Sequence, residues 1–258
     1  MIKVGDRFET NNGGWCKVVE YINYDDITVE FEDTHAYRIK VNGYTLQIGN
    51  VKNPYAPRLF GVGYHGVGPH KSRLGSAKDG FSNLPAYSAW SNMLSRCYDK
   101  NYRDSRLYEA TAVCEKWHCF QTFADWYTEQ IKYTGWEDRT CLDKDILGDG
   151  NLYSENTCAL VPALINSTIK SAPRGNLLQG VIKSSNGFYR IVPGYQNSKE
   201  RFNSEGEAHF AYLKVKQKRL LELAEKYRFF LNTKVYDVLI TKDYMYLWSP
   251  FFLNPNLK

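Results

Sequence analysis

Carboxylate and amide side chains are concentrated in residues 141–167, whose sequence is CLDKDILGDGNLYSENTCALVPALINS. Asp143 and Asp145 stand close together, and Asn156 and Asn166 follow further along the run. Carboxylate and amide oxygens suit Mg²⁺ or Mn²⁺ and fit zinc less well. A cation held there would stabilise the charge that develops on a scissile phosphate. The pattern indicates a metal-dependent phosphate site, and the alternative is a solvated acidic turn between two strands.

The local pattern also predicts how these side chains are positioned. Residues 141–147 read as a short strand, and a Gly/Asp/Asn turn follows at residues 148–151. A second apolar run at residues 158–161 leads into Pro162, which suits the first turn of a helix. Asn166 would then lie about one turn inside that helix. The predicted order is strand, loop, strand and helix.

This run resembles the ββα-metal core of HNH endonucleases. The resemblance is carried by Leu-Asp-Lys, then Ser-Glu-Asn about ten residues later, then an apolar strand and a helical Asn. It implies that Asp143 on the strand and Asn166 on the helix bind one divalent cation, Mg²⁺ or Mn²⁺. It also implies that Asn156 is the central Asn that orients the base. Lys144 occupies the place of the family's catalytic His.

The identity of the general base is open because of this lysine. An ammonium group is protonated at neutral pH and is a poor base unless burial or neighbouring cations strongly lower its pKa. Asp145 acting through water is a second candidate. The predicted catalytic residues are therefore Lys144, Asp145 and Asn156. The alternative is a catalytically inactive protein that uses the same scaffold to bind DNA or to inhibit another protein.

Two helices are predicted before this run. Residues 86–97 place apolar side chains on one helical stripe, and residues 113–131 form a second aromatic stripe. The patterns W-x-x-M-x-x-R-C-Y and W-x-x-F-x-x-F resemble the segment that precedes the nuclease core in phage-encoded HNH proteins, so the resemblance covers residues 87–167. Arg96 lies beside the first stripe and is a predicted DNA contact.

Basic residues are concentrated after the candidate site. Residues 168–228 contain 12 Lys and Arg against 5 Asp and Glu, whereas residues 1–70 contain 7 against 8. A local excess of positive charge is typical of a surface that binds a polyanion. Lys170 and Arg174 lie in the first turn of this basic stretch and are predicted to contact DNA.

Three strands and one helix are predicted within the basic stretch. The strand candidates are residues 180–183, 186–192 and 199–202, with a hairpin turn at Asn186-Gly187. A capping box, Ser-Glu-Gly-Glu, opens a helix that runs to about residue 227.

This order, with G-V-x-x-x-x-x-G-F and E-A-x-x-A-Y, resembles an AP2-type DNA-binding module. The resemblance implies that the sheet lies in the major groove of double-stranded DNA. Which side chains face outward depends on the register of the pleat. The residues at matching positions are Lys183, Tyr189, Arg190, Lys199 and Arg201.

The fold class predicted for the whole chain is α+β. Short strand candidates separated by Asn, Asp and Gly turns predict a small N-terminal β module, either an SH3-like barrel or a curled sheet, with a docking or scaffold role. The predicted divisions are 1–56 for this β module, 57–85 for a Gly-rich linker, 86–170 for the HNH-like core with its preceding helices, 171–228 for the AP2-like module and 229–258 for an apolar tail.

The favoured function is an HNH-like DNA endonuclease of a phage or mobile element, acting in the cytoplasm of a bacterial host. No signal peptide follows Met1, no run approaches the roughly 20 apolar residues that span a bilayer, and the six Cys form no CxxC pair. The expected partner is double-stranded DNA, and no membrane is expected. The apolar tail is expected to pack on another module, on a partner protein or on a second copy of the chain.

Overall fold

The structure is a computed structural model that describes residues 1–12, 14–76, 80–102, 108–132, 140–170, 176–192, 194 and 200–245. It divides into two compact units, Met1–Tyr127 and Thr128–Lys258. The described residues form a mixed α and β architecture with several small sheets and six α-helices. The boundary between the units lies inside the predicted 86–170 division, so the helix predicted at 86–97 and the HNH-like run belong to different units.

Unit 1 begins with a four-stranded antiparallel sheet in the order β1-β2-β3-β4. Alternate side chains on β2 and β3, including Val18, Ile27 and Val29, are fully buried, as the period of a half-buried strand requires. The sheet is open, and no closed barrel occurs among the described residues, which corrects the barrel-like prediction. Its elements are β1 (Arg7–Glu9), β2 (Trp15–Asn23), β3 (Asp26–Phe31), β4 (Arg38–Val41) and α1 (Gly43–Gln47).

The rest of unit 1 contains the helix predicted at 86–97, which is confirmed as α2 (Pro85–Tyr98) with Pro85 in its first turn. Its Trp90 is buried and donates from Nε1 to the Trp117 carbonyl oxygen at 2.7 Å. The remaining elements are β5 (Arg73–Ser76), β6 (Gly80–Asn83), β7 (Ala112–Val113), a 3₁₀ turn (Glu115–His118) and α3 (Phe120–Ile131), whose last residues, from Thr128 on, belong to unit 2.

The Gly-rich segment differs from the predicted linker because it packs within unit 1. The Tyr64 N–H donates to the His118 carbonyl and the Phe120 N–H donates to the Tyr64 carbonyl, both at 2.9 Å. A side chain at Gly63 would approach Leu94 to 2.5 Å, so glycine permits this close packing. The two hydrogen bonds of Tyr64 hold residues 118–120 in an extended pairing with the Gly-rich segment. The helix predicted at 113–131 therefore begins only at Phe120.

Unit 2 contains the predicted strand–loop–strand–helix. β8 (Thr140–Asp143) pairs antiparallel with β10 (Ala159–Pro162), and α4 (Ala163–Ile169) follows immediately. α4 packs against both strands. The short β9 (Leu152–Tyr153) lies in the intervening loop. The strand predicted at 141–147 ends at Asp143 because the chain turns there.

A hairpin and a long helix complete unit 2. β11 (Val181–Lys183) pairs with β12 (Tyr189–Ile191), and both pack against α5 (Glu205–Lys226). The predicted capping box is confirmed, because the Ser204 side chain accepts from the Glu207 N–H and the Glu207 side chain accepts from the Ser204 N–H. The predicted third strand is reduced to an isolated bridge between Phe202 and Tyr189, so the described sheet has two strands.

The C-terminal segment contributes to the core of unit 2. α6 (Thr233–Thr241) follows a 3₁₀ turn (Arg228–Phe230). Leu231, Val235 and Leu239 are buried in one cluster with Leu220 of α5. Part of the apolar character of residues 229–245 therefore reflects packing within unit 2, whereas Phe229 is 90% exposed. Residues 246–258 of the predicted tail lie outside the described residues. No helix in the described part of the chain is long and apolar enough to cross a membrane.

Candidate functional site

Asp143 lies at the end of β8, opposite Ala159 of β10, and is only 5% exposed. Its Oδ1 accepts hydrogen bonds from the Asp145 and Ile146 N–H groups, each at 2.9 Å. These bonds form the Asx-type turn that ends the strand and starts the loop. The carboxylate is therefore held in one orientation by the backbone that follows it.

Burial raises the pKa of the Asp143 carboxyl group, and this effect outweighs the backbone hydrogen bond from Ile146, which lowers the pKa. The negative charge of Asp145 raises it further. Burial also raises the pKa of Tyr244, with a contribution from the charge of Asp143. A carboxylate in such a setting is stabilised by a nearby cation, which offsets the loss of hydration.

Lys144 points its ammonium group at Asp145. The Nζ to Oδ1 distance is 2.8 Å, and the Lys144 side chain is 13% exposed whereas that of Asp145 is 55% exposed. Nζ also lies 5.8 Å from the centroid of the Tyr153 ring. Lys144, the residue that the HNH resemblance aligns with a catalytic His, thus donates to Asp145.

The two asparagines differ in their surroundings. Asn166 is half-buried on α4, the helix that packs against the strand of Asp143. Asn156 is exposed in the turn before β10, and its side chain makes no hydrogen bond to any described residue. The loop is organised by Thr157, whose Oγ1 donates to the Leu152 carbonyl at 2.7 Å and accepts from the Ser154 N–H at 3.1 Å. Sequence reasoning missed this role, although Ser and Thr are typical of such turns.

The donor set of Asp143 and Asn166 fits Mg²⁺ or Mn²⁺ in type, because both supply oxygen. Within the described ranges, no group of three or more His, Cys, Asp or Glu side chains is placed to hold a metal ion. A divalent cation at Asp143 would therefore keep several water ligands, as Mg²⁺ commonly does in proteins.

The hairpin register separates the predicted DNA contacts. Val181 pairs with Ile191 and both are buried, so their shared face is directed at the core. Lys183 and Tyr189 lie on that same face at the end of the hairpin, whereas Arg190 lies on the opposite face. The strand residues predicted from the AP2 resemblance therefore do not form one outward surface.

Three aromatic rings on the hairpin and α5 of unit 2 each lie beside a cation. The Lys183 ammonium is 5.5 Å from the Tyr189 centroid, and the Arg201 guanidinium is 5.7 Å from that of Phe188. On α5, Lys214 lies 4.6 Å from the centroid of Phe210, which is 46% exposed. Sequence reasoning missed Phe188, Phe210 and Lys214 as a group, because exposure of an aromatic residue is not readable from the pattern.

The remaining predicted contacts are dispersed. Lys170 is exposed at the end of α4 and its carbonyl accepts from the buried ammonium of Lys216 at 2.8 Å. Arg96 lies in unit 1, with its guanidinium 6.0 Å from the Tyr108 centroid. Arg174 and Lys199 lie outside the described residues.

No family model, no curated protein and no solved structure matches this chain. Any functional conclusion therefore depends on the residues and on the geometry described above.

Proposed function

We propose that this chain is an HNH-like DNA endonuclease that uses one divalent cation, Mg²⁺ or Mn²⁺, held by Asp143 and Asn166. The observation that carries the proposal is the local architecture of unit 2. The antiparallel pair β8 and β10 is followed at once by α4, which packs against both strands, and the buried carboxylate of Asp143 ends β8.

Each nearby side chain has a role in this proposal. The bound cation would stabilise the charge that develops on the phosphate and its leaving oxygen. Asp145, whose side chain is 55% exposed, accepts a proton from water. The Lys144 ammonium, which Asp145 positions, contacts a phosphate oxygen. The cations beside Tyr189, Phe188 and Phe210 bind the DNA backbone and supply affinity.

A catalytically inactive DNA-binding protein on the same scaffold is the second candidate. It is favoured by the ion pair between Lys144 and Asp145 at 2.8 Å. This pair places a cation where the HNH family has its base and occupies the carboxylate that would replace it. In this alternative, the same basic residues bind DNA and the cation at Asp143 has only a structural role.

A plasmid-nicking assay with Mg²⁺ or Mn²⁺ separates the two candidates. If the chain is an endonuclease, it nicks supercoiled DNA, and Asp143→Ala and Asn166→Ala each lower the rate by about two orders of magnitude. Asp149→Ala is the matched control, because Asp149 is an exposed aspartate in the same loop. It should nick at the wild-type rate.

Other outcomes point away from the endonuclease. Tight, salt-sensitive DNA binding without nicking favours the inactive binding protein. Nicking that persists unchanged in Asp143→Ala would show that any cleavage arises from another site or from a contaminant. Failure to bind DNA at low salt would remove both candidates.

A further inference from the structure

Unit 1 contains a cleft of about 650 Å³ that the proposed DNA chemistry does not use. It is lined by residues of the turn after β3 and by the segments that carry Tyr55 and Tyr64. Its aromatic lining is Trp15, Phe31, His35, Tyr55, Tyr64 and His118. A volume of this size falls within the range of protein ligand sites.

Three of the rings form a compact cluster. His35 stacks on Tyr55 with ring centroids 4.2 Å apart and an interplanar angle of 11°. Tyr64 meets His35 edge-on at 5.6 Å, and the Tyr55 and Tyr64 centroids are 5.9 Å apart. Aromatic faces carry negative charge density, so several rings arranged around a cleft attract cations.

Hydrogen bonds hold this cluster in place. Asp33 accepts from the His35 and Ala36 N–H groups at 2.9 and 3.1 Å, and from Asn53 Nδ2 at 2.5 Å. Asn53 Oδ1 in turn accepts from the Tyr55 N–H at 2.9 Å. The two ring-bearing segments are thereby linked through Asp33 and Asn53, and the cleft is formed before any ligand arrives.

The charge of the cleft is negative. Glu32 and Asp33 line it, and no Lys or Arg does so among the described residues. Burial lowers the pKa of His118 and so favours its neutral form, and burial raises the pKa of Tyr64. Arg7 donates from Nε to Glu32 Oε1 at 2.9 Å, and its guanidinium lies 5.1 Å from the Trp15 centroid, so Glu32 is neutralised. The Asp33 carboxylate beside His35, Tyr55 and Tyr64 accepts only from neutral donors and keeps its negative charge.

We propose that this cleft binds a Lys or Arg side chain presented by an extended segment of a partner protein. The ring faces and the Asp33 carboxylate both attract a cation, while the alkyl stem of Lys or Arg packs on the rings. A phosphate backbone is repelled by the same carboxylates. The occupant expected in unit 1 therefore has the opposite charge from the ligand expected in unit 2.

Calorimetric titration of the full chain with two synthetic peptides tests this proposal. One peptide is a Gly/Ser nonamer with Lys at alternate positions, and the other has norleucine at those positions, so that only the ammonium groups differ. The Lys peptide should bind, more weakly as salt increases, and the norleucine peptide should bind at least about tenfold more weakly.

Two substitutions at one residue assign the binding to the cleft. Tyr55→Leu removes the ring and keeps an apolar side chain, so it should weaken the Lys peptide by about tenfold. Tyr55→Phe retains the ring face and should bind as the wild type does. A thermal melt of each variant checks that unit 1 remains folded. Tyr44→Leu replaces a 62% exposed Tyr of α1 outside the cleft, and this control should bind the Lys peptide as the wild type does.

Three results would overturn the proposal. Equal binding of the norleucine peptide would identify an apolar groove. Unchanged binding by folded Tyr55→Leu would place the peptide elsewhere. Displacement of the Lys peptide by a short single-stranded oligonucleotide, with the same dependence on Tyr55, would identify a nucleic acid as the occupant. None of these results bears on DNA nicking, so the two proposals fail separately.

Discussion

The cleft of unit 1 and the hairpin and α5 of unit 2 are both rich in aromatic side chains, yet the charges beside their main ring contacts differ in sign. In the cleft, the cluster of His35, Tyr55 and Tyr64 lies with the Asp33 carboxylate, while Arg7 is paired with Glu32 and lies 5.1 Å from the Trp15 centroid. In unit 2, the rings of Phe188 and Phe210 lie under Arg201 and Lys214. Aromatic content alone therefore does not specify a ligand, because the charge beside a ring favours either a cation or a polyanion.

The two regions also differ in how rigidly they are built. The segments that carry His35 and Tyr55 are linked by a chain of hydrogen bonds through Asp33 and Asn53. The basic pairs of unit 2 are surface side chains on a hairpin and a helix, so their placement depends on how the hairpin packs against α5. A preformed cleft favours one geometry of the bound ligand, whereas surface cations can contact phosphates in many positions.

The largest effect is expected where the hairpin of unit 2 packs on α5. Gly180 has a φ of +80°, and a Cβ there would overlap the ring of Tyr212. Gly180→Ala should lower the free energy of unfolding by about 3 kcal/mol, from the strained backbone and the overlap together. Chemical denaturation measures the loss, and the DNA affinity that we propose for unit 2 should fall with it.

Gly187→Ala is the matched control for this prediction. Gly187 also has a positive φ, +86°, but nothing lies within 4 Å of the position that a Cβ would take there. Only backbone strain remains, so the loss should be about 1 kcal/mol. Equal losses for the two variants would contradict the packing of the hairpin against Tyr212.

The next largest effect is expected on DNA binding. Replacing Lys183, Arg201 and Lys214 by Gln should weaken binding to duplex DNA by about 10- to 100-fold and reduce the slope of log affinity against log salt by about 3, because each cation neutralises about one phosphate. Fluorescence anisotropy at several salt concentrations measures both quantities.

The control for this charge removal lies in unit 1. Lys3, Lys17 and Lys52 are exposed there, and replacing all three by Gln removes the same charge from the whole chain. This variant and Tyr55→Leu should both bind duplex DNA within about twofold of the wild type, as surface changes away from an interface do. A loss as large as that of the unit 2 variant would mean that net charge, and not the unit 2 surface, determines affinity.

The smallest effect is expected from a buried cation in unit 2. Burial lowers the pKa of Lys216 to about 7, while its ammonium donates to the Lys170 carbonyl and to Gln179 Oε1. Between pH 7 and the unfolded pKa of about 10.4, the unfolded chain binds more protons at this site, so stability rises with pH. Relative to Lys216→Met, the free energy of unfolding of the wild type should rise by about 1 to 2 kcal/mol between pH 7 and pH 8.5.

Chemical denaturation of the wild type and of Lys216→Met at pH 7 and pH 8.5 measures this gain. Ionisation of the cysteines affects both proteins equally, so it cancels in the difference between their free energies of unfolding. Lys218→Met is the control on the same helix, since the Lys218 side chain is 80% exposed. It should show no pH-dependent difference from the wild type. A gain of equal size for both lysine variants would contradict the assignment to the buried ammonium.

Local sequence was sufficient for several elements. The Ser204 capping box and the apolar stripe after Pro85 predicted α5 and α2 to within about two residues, because caps and helical periodicity depend on neighbours in the chain. The strand–loop–strand–helix order around Asp143 was likewise readable, because turn residues and Pro162 mark its boundaries. The roles of Asp143, Asn156 and Asn166 stay predictions.

Long-range contacts decided the rest. The Gly-rich segment was predicted as a linker, but pairing of Tyr64 with residues 118–120 draws it into unit 1 and delays the start of α3. Which side chains of the hairpin face outward is decided by the register that pairs Val181 with Ile191. The negative cleft joins residues from Asn12 to His118, and Lys216 is buried by elements far from it in the chain. Burial and ring geometry depend on which segments meet in space, whereas periodicity and capping depend only on adjacent residues.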